Sequence, residues 1–149
     1  MKNIRGGWQQ IMLVSLKHVG GMAFEGMSHS GETVKISSSI ALSEHLGASP
    51  MELLLMGVAG CSGIDIVGIL EKMRVNYKKF EICVDGERAE EHPKVFTNIK
   101  VVYQFWGNDL PEDKIRRAID LSFDKYCSVI HTVNKVAHVS YTFEINSND

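Results

Sequence analysis

Three cysteines occur in this chain, and two of them, Cys61 and Cys127, occupy helical positions where a thiol can react rather than merely fill space. Brought together by folding, such a pair supports redox chemistry. A reactive cysteine must be partly thiolate near neutral pH, which a helix N-terminus or a nearby cation promotes and apolar burial opposes. Cys127 meets the first condition if Tyr126-Cys127 marks a break and residues 128–135 begin a new helical turn. Cys61 lies about three turns inside its helix, with Asp65 one turn on along the same face. A carboxylate there raises the thiol pKa unless a cation neutralises it, so something basic must reach Cys61 if it is the nucleophile. Taken singly, either cysteine also reads as an inert small hydrophobe. Cys83, on the polar face of a strand, reads as structural or incidental.

Other side chains bear on the same chemistry. His131 stands one turn beyond Cys127 and is a candidate base or hydrogen-bond partner, against an ordinary surface or capping histidine. Glu52 reads either as a catalytic carboxylate or as part of a helix cap, and the cap accounts for it fully. The remaining histidines, at 18, 29, 45, 92 and 138, have no metal-ligand spacing, nor have the cysteines, so neither a metal nor a cofactor is expected. Gly6-Gly7 and Gly20-Gly21 are isolated doublets without a phosphate-loop pattern.

The elements that must position these groups follow from composition and periodicity. The 149 residues fit one domain over 1–149, with 1–9 as an N-terminal extension and 146–149 as a tail. Apolar residues make up 44% and charged residues 23%, and the net charge of −2 gives no general attraction to nucleic acid or to anionic membranes. An odd number of cysteines behind a charged, non-apolar N-terminus predicts a reducing, cytoplasmic setting, where a disulfide would be transient and functional.

Residues 53–70 carry one charge, Asp65, and four glycines, Gly57, Gly60, Gly63 and Gly68. Asp65 and the glycines argue against a membrane span. A helix apolar on all sides is instead predicted to be the buried centre of the core, its glycines admitting a close neighbour at about 1 kcal/mol each relative to alanine. Ser49-Pro50-Met51-Glu52 starts this helix as a capping box with proline at the first position, and Lys72 and Arg74 suit its C-terminal end.

Before it, strands are expected over 11–17, 22–27 and 33–39, the last two a hairpin through residues 28–32, with a looser connection over 40–48. After it, Phe80, Ile82 and Val84 alternate with Glu81, Cys83 and Asp85. Ile99, Val101, Tyr103 and Phe105 repeat that pattern and predict an antiparallel neighbour. An amphipathic helix follows, with Ile115, Ala118, Ile119, Ser122, Phe123 and Tyr126 on its core face. Val139, Tyr141, Phe143 and Ile145 form a closing strand. The class is α+β, antiparallel sheet wrapped around a central buried helix and a second amphipathic helix.

Three stretches carry a family resemblance: residues 49–65 with Cys61, the Gly86-Glu87-Arg88-Ala89 turn followed by Pro93-Lys94-Val95-Phe96, and Lys125-Tyr126-Cys127-Ser128-Val129. Together, and in order over roughly residues 20 to 145, they resemble the OsmC-like proteins, the osmotically induced and organic hydroperoxide resistance proteins, of the YhfA type. The resemblance implies an intertwined homodimer with sites at the subunit interface. It further implies that Cys61 attacks a peroxide, that Cys127 resolves the sulfenic acid as a disulfide, and that a dithiol such as a reduced lipoyl group restores both. The peroxidase members activate the first thiol with an arginine from the N-terminal strands, held by a glutamate directly after the helix-starting proline. Here Met51 follows Pro50, Glu52 is displaced by one, and no arginine lies between Arg5 and Arg74. Lys17 and Lys35 are the strand cations that could substitute.

Three functions are consistent with this sequence: a peroxidase for organic hydroperoxides or hydrogen peroxide, a redox sensor using the same dithiol without turnover, and a small-molecule-binding dimer in which the cysteines are incidental.

Overall fold

The computed structural model describes residues 12–38 and 47–147. Contacts divide the chain into two compact units, with the boundary between Glu52 and Leu53. The first contains an antiparallel sheet of β1 (Ser15–Gly20), β2 (Ala23–Met27) and β3 (Thr33–Ser37) in that spatial order. The predicted hairpin is β2–β3, closed by Ser28 N–H to Glu32 at 2.8 Å. The first strand lies further along the chain than its apolar run suggests, because Gly20 and Gly21 take up positive φ and make its turn into β2. Lys17, Glu25 and Lys35 face one another across the three strands, all exposed. Most of the predicted connection over 40–48 falls outside the described residues.

Helix α1 (Pro50–Lys72) starts where the capping box places it. Ser49 N–H donates to Glu52 Oε2 at 2.7 Å and Glu52 N–H donates to Ser49 Oγ at 3.3 Å, the reciprocal pair that satisfies two otherwise orphaned amides. The helix then runs into the second unit. By length and composition it would pass for a membrane span, yet Asp65 in its middle is bonded to a buried serine. Val58, Ser62, Ile66 and Leu70 recur every fourth residue as a buried stripe, with Gly63 beside them.

The rest of α1 corrects the expectation of burial on all sides. Leu54, Met56 and Val67 are exposed, and Ile64 is 76% exposed. One chain supplies neighbours for a single stripe. The glycines divide in the same way: a Cβ on Gly63 would stand 2.7 Å from Ile82 Cδ1, whereas one on Gly60 or Gly68 would meet nothing within 4 Å.

The second sheet has the order β4 (Lys79–Arg88), β5 (Phe96–Trp106), β6 (His138–Asn146). β4 and β5 are antiparallel as expected, and the alternation of β5 places Ile99, Val101, Tyr103 and Phe105 wholly inside. Phe80 stacks on Phe105 at 4.3 Å. β6 departs from the all-antiparallel expectation, since it pairs with β5 in parallel. Parallel neighbours need a long crossover, and α2 (Glu112–Leu121), a π turn (Ser122–Tyr126) and α3 (Ser128–Val133) provide it. Ile115, Ala118, Ile119 and Ser122 are buried as the amphipathic pattern requires, but Tyr126 is about half exposed. The wider π turn changes the angular spacing after Ser122 and swings Tyr126 off the core face.

Candidate functional site

The chain break anticipated at Cys127 is real, and it is made by the π turn. Cys127 N–H reaches back to the Ser122 carbonyl at 2.8 Å, after which the backbone leaves helical geometry at Cys127 (φ −71°, ψ 101°) and α3 begins. Cys127 is therefore the N-cap of α3, its Sγ accepting the Ile130 N–H at 3.4 Å. Its side chain is wholly buried. Burial pushes the thiol up to about 12, against the smaller opposing effect of the Ile130 amide, and the neighbouring Cys61 thiol pushes in the same direction as burial.

Cys61 and Asp65, one turn apart on α1, present side chains to the same place. Cys61 Sγ, an Asp65 carboxylate oxygen and Cys127 Sγ all lie within 4.8 Å of one another, and both thiols are free. Cys61 and Asp65 are half-buried, so the cluster is closed on the Cys127 side and partly open on the α1 side. The fold thus brings together three of the sequence candidates, Cys61, Cys127 and Asp65, and the same three atoms could ligate one metal ion, a set that spacing along the chain did not reveal.

Two further residues shape the cluster. Ser122, wholly buried, donates to Asp65 Oδ2 at 3.1 Å and lies 3.4 Å from the Ser62 carbonyl. Ser62 is itself satisfied within α1, its hydroxyl donating to the Val58 carbonyl at 2.8 Å. The Tyr103 hydroxyl is buried with no hydrogen-bond partner in bonding distance. Burial pushes its pKa well above the ordinary range, and the charges of Cys127 and Asp65 act on it in the same direction. The signal for both was available in the sequence, since each is a polar group on a core-facing position and buried polar groups need partners.

The other candidates are each placed by their own element. Glu52 is in the cap of α1. His131 is exposed in the last turn of α3, its backbone N–H bonded to the Cys127 carbonyl at 3.1 Å. Lys17 and Lys35 belong to the first unit's sheet. Cys83 is exposed on β4, its Sγ 4.0 Å from Gln104 Oε1.

A two-unit α+β chain with a cysteine mid-way along a long apolar helix and a second at the head of a short one defines a dithiol protein of a known fold. The family described as OsmC-like protein matches residues 43–142, and the chain belongs to it. It is 37% identical to Protein YhfA of Escherichia coli (strain K12) over 134 residues, 90% of this chain and 98% of that protein. Among solved structures, a protein of Aquifex aeolicus VF5 superposes with a TM-score of 0.83 at 29% identity, covering 95% of this chain and all of the other. The organic hydroperoxide resistance protein OhrB of Bacillus subtilis shares the fold, with a TM-score of 0.64 at 18% identity over 90% of this chain and 98% of its own.

The three thiols should differ sharply toward a thiolate-directed alkylating reagent. In the reduced native protein at pH 7, Cys83 is expected to label first and Cys127 last. Because burial raises the Cys127 pKa, its labelling should accelerate as pH rises toward 12 and be slow below. In denaturant the three rates should converge, as peptide mapping over time will show.

Proposed function

We propose that this protein is a cysteine-based redox protein of peroxide defence, a peroxidase that reduces organic hydroperoxides or hydrogen peroxide. The observation that carries the reading is the pair of free sulfurs, Cys61 and Cys127, meeting beside Asp65 in an OsmC-like fold. Cys61 is the attacking thiol because it is the more accessible of the two. Its thiolate takes the distal peroxide oxygen, the O–O bond breaks, and the alkoxide leaves with a proton as alcohol, making Cys61 a sulfenic acid. Cys127 then displaces hydroxide from that sulfur, water leaves, and the Cys61–Cys127 disulfide forms. A dithiol reductant, of lipoyl type or another, returns both thiols by exchange.

Asp65 has a role in the second step. Burial keeps Cys127 protonated, so its attack needs a proton acceptor, and the Asp65 carboxylate lies within 4.8 Å of the sulfur, a span that one water bridges, with one oxygen anchored by Ser122. It takes the thiol proton and returns it to the departing hydroxide.

The working unit is a homodimer. The exposed apolar stripe of α1, with Leu54, Met56, Ile64 and Val67, is surface that water alone would cover at a cost. The sheet of the first unit likewise exposes Leu16, Phe24, Met27 and Val34. A second copy of the chain covers such surface symmetrically, and a lysine or other cation of that copy supplies positive charge at Cys61.

Turnover separates this reading from a sensor. With a dithiol present, the wild-type protein is expected to consume hydroperoxide many times over, and Cys61→Ser to abolish it. Cys127→Ser should accumulate sulfenic and then sulfinic acid at Cys61. One oxidation without turnover would leave a sensor, and indifference to both substitutions would leave a binding protein. Sedimentation should give twice the chain mass, and Ile64→Glu, placing a charge on the apolar stripe, should shift the protein to monomer.

A further inference from the structure

The cluster of Cys61, Asp65 and Cys127 has a second chemical capacity that does not depend on the redox reading. Two thiols and a carboxylate with ligand atoms within 4.8 Å form a donor set of soft and borderline character. Around a tetrahedral zinc ion, with sulfur at about 2.3 Å and oxygen at about 2.0–2.2 Å, such atoms stand roughly 3.5–3.8 Å apart. Closing from at most 4.8 Å asks for shifts of the side-chain atoms of about an ångström.

The surroundings resemble those that hold metal ligands in place. Asp65 is oriented by the buried Ser122 hydroxyl at 3.1 Å, which leaves its other oxygen for the ion. Cys127 Sγ receives the Ile130 amide at 3.4 Å, an interaction that favours the thiolate a metal requires. Cys61 and Asp65 share one face of a helix that is rigidly capped and packed, a two-point grip, and Cys127 closes the third corner from another element. The buried Tyr103 hydroxyl borders the same cluster, under the influence of Ser62, Cys127 and Asp65. Thiolate donors select zinc-like ions over magnesium and calcium.

We propose that Cys61, Asp65 and Cys127 form a binding site for one divalent transition-metal ion of the zinc class, and that the ion and the Cys61–Cys127 disulfide are alternative states of the same two sulfurs. Binding is an exchange without electron transfer: the ion enters, two thiol protons leave to solvent, and two sulfur–metal bonds form. Disulfide formation removes two electrons as well as two protons and needs an oxidant, here a hydroperoxide. An ion in place occupies the sulfur lone pairs that would attack, so the metal-bound protein is withheld from oxidation until the ion is released.

Cobalt(II) reports on such a site directly. The reduced full-length protein, freed of reductant without air, is titrated with Co²⁺. One equivalent per chain should produce a near-ultraviolet thiolate-to-cobalt charge-transfer band and intense visible bands of tetrahedral cobalt, both bleached by Zn²⁺. Cys83→Ser should leave them unchanged. Cys61→Ser and Cys127→Ser should each remove about half of the charge-transfer intensity or all binding, and Asp65→Asn should weaken binding at least about tenfold. Protein oxidised to the disulfide should bind no cobalt and regain it on reduction, a comparison that needs no variant. One equivalent of Zn²⁺ should slow hydroperoxide oxidation of the wild type. Cobalt bound without a charge-transfer band, a band of undiminished intensity in Cys61→Ser or Cys127→Ser, or equal binding by the disulfide form would overturn the proposal.

Discussion

One buried serine holds the two halves of the thiol site together. The Ser122 hydroxyl bonds Asp65 on α1, and its carbonyl receives the Cys127 amide through the π turn. Side chain and backbone of a single residue therefore fix the distance between the helix that carries Cys61 and the cap that carries Cys127. A hydrogen bond to a charged group is worth about 1.5–3 kcal/mol net, and losing it would leave a half-buried carboxylate oxygen without this donor. The closeness of Gly63 to Ile82 adds a steric floor: α1 lies against β4 only because no side chain intervenes.

The site's chemistry follows from how unevenly it is wrapped. Cys127 is sealed among apolar side chains and stays protonated, whereas Cys61 keeps a partly open approach from the face of α1 whose other residues are exposed. The two sulfurs thereby differ in exposure, and burial holds the Cys127 thiol up. Asp65 sits between them, unfavourable to a thiolate by charge alone, yet useful wherever a proton must leave a buried thiol or a cation must be held.

Local features were the most legible in the sequence. The capping box at Ser49 and Glu52, the hairpin, the alternation of β5 and the break at Cys127 depend on neighbours a few residues apart, and each was read correctly. Features that depend on remote partners were not. The parallel pairing of β6 with β5 is decided by a crossover, the exposure of Tyr126 by a π turn whose extra width leaves no compositional mark, and the exposed stripe of α1 by what one chain can and cannot cover. The meeting of Cys61 with Cys127 was expected, through the family resemblance, but the three-donor set that they form with Asp65 was not. Two of its members are one helical turn apart and visible as such, but the third joins them only through the crossover, so ligand spacing in the sequence gave no warning.

The account stands on Cys61 and Cys127 being one redox pair, and disulfide mapping after addition of a single equivalent of organic hydroperoxide to the reduced protein tests that most directly. The expected result is loss of two hydrogens in the intact mass, with one bridge joining the peptides of Cys61 and Cys127, Cys83 still free, and full reversal by a dithiol. Both thiols surviving excess hydroperoxide, or a bridge that involves Cys83 instead, would contradict it.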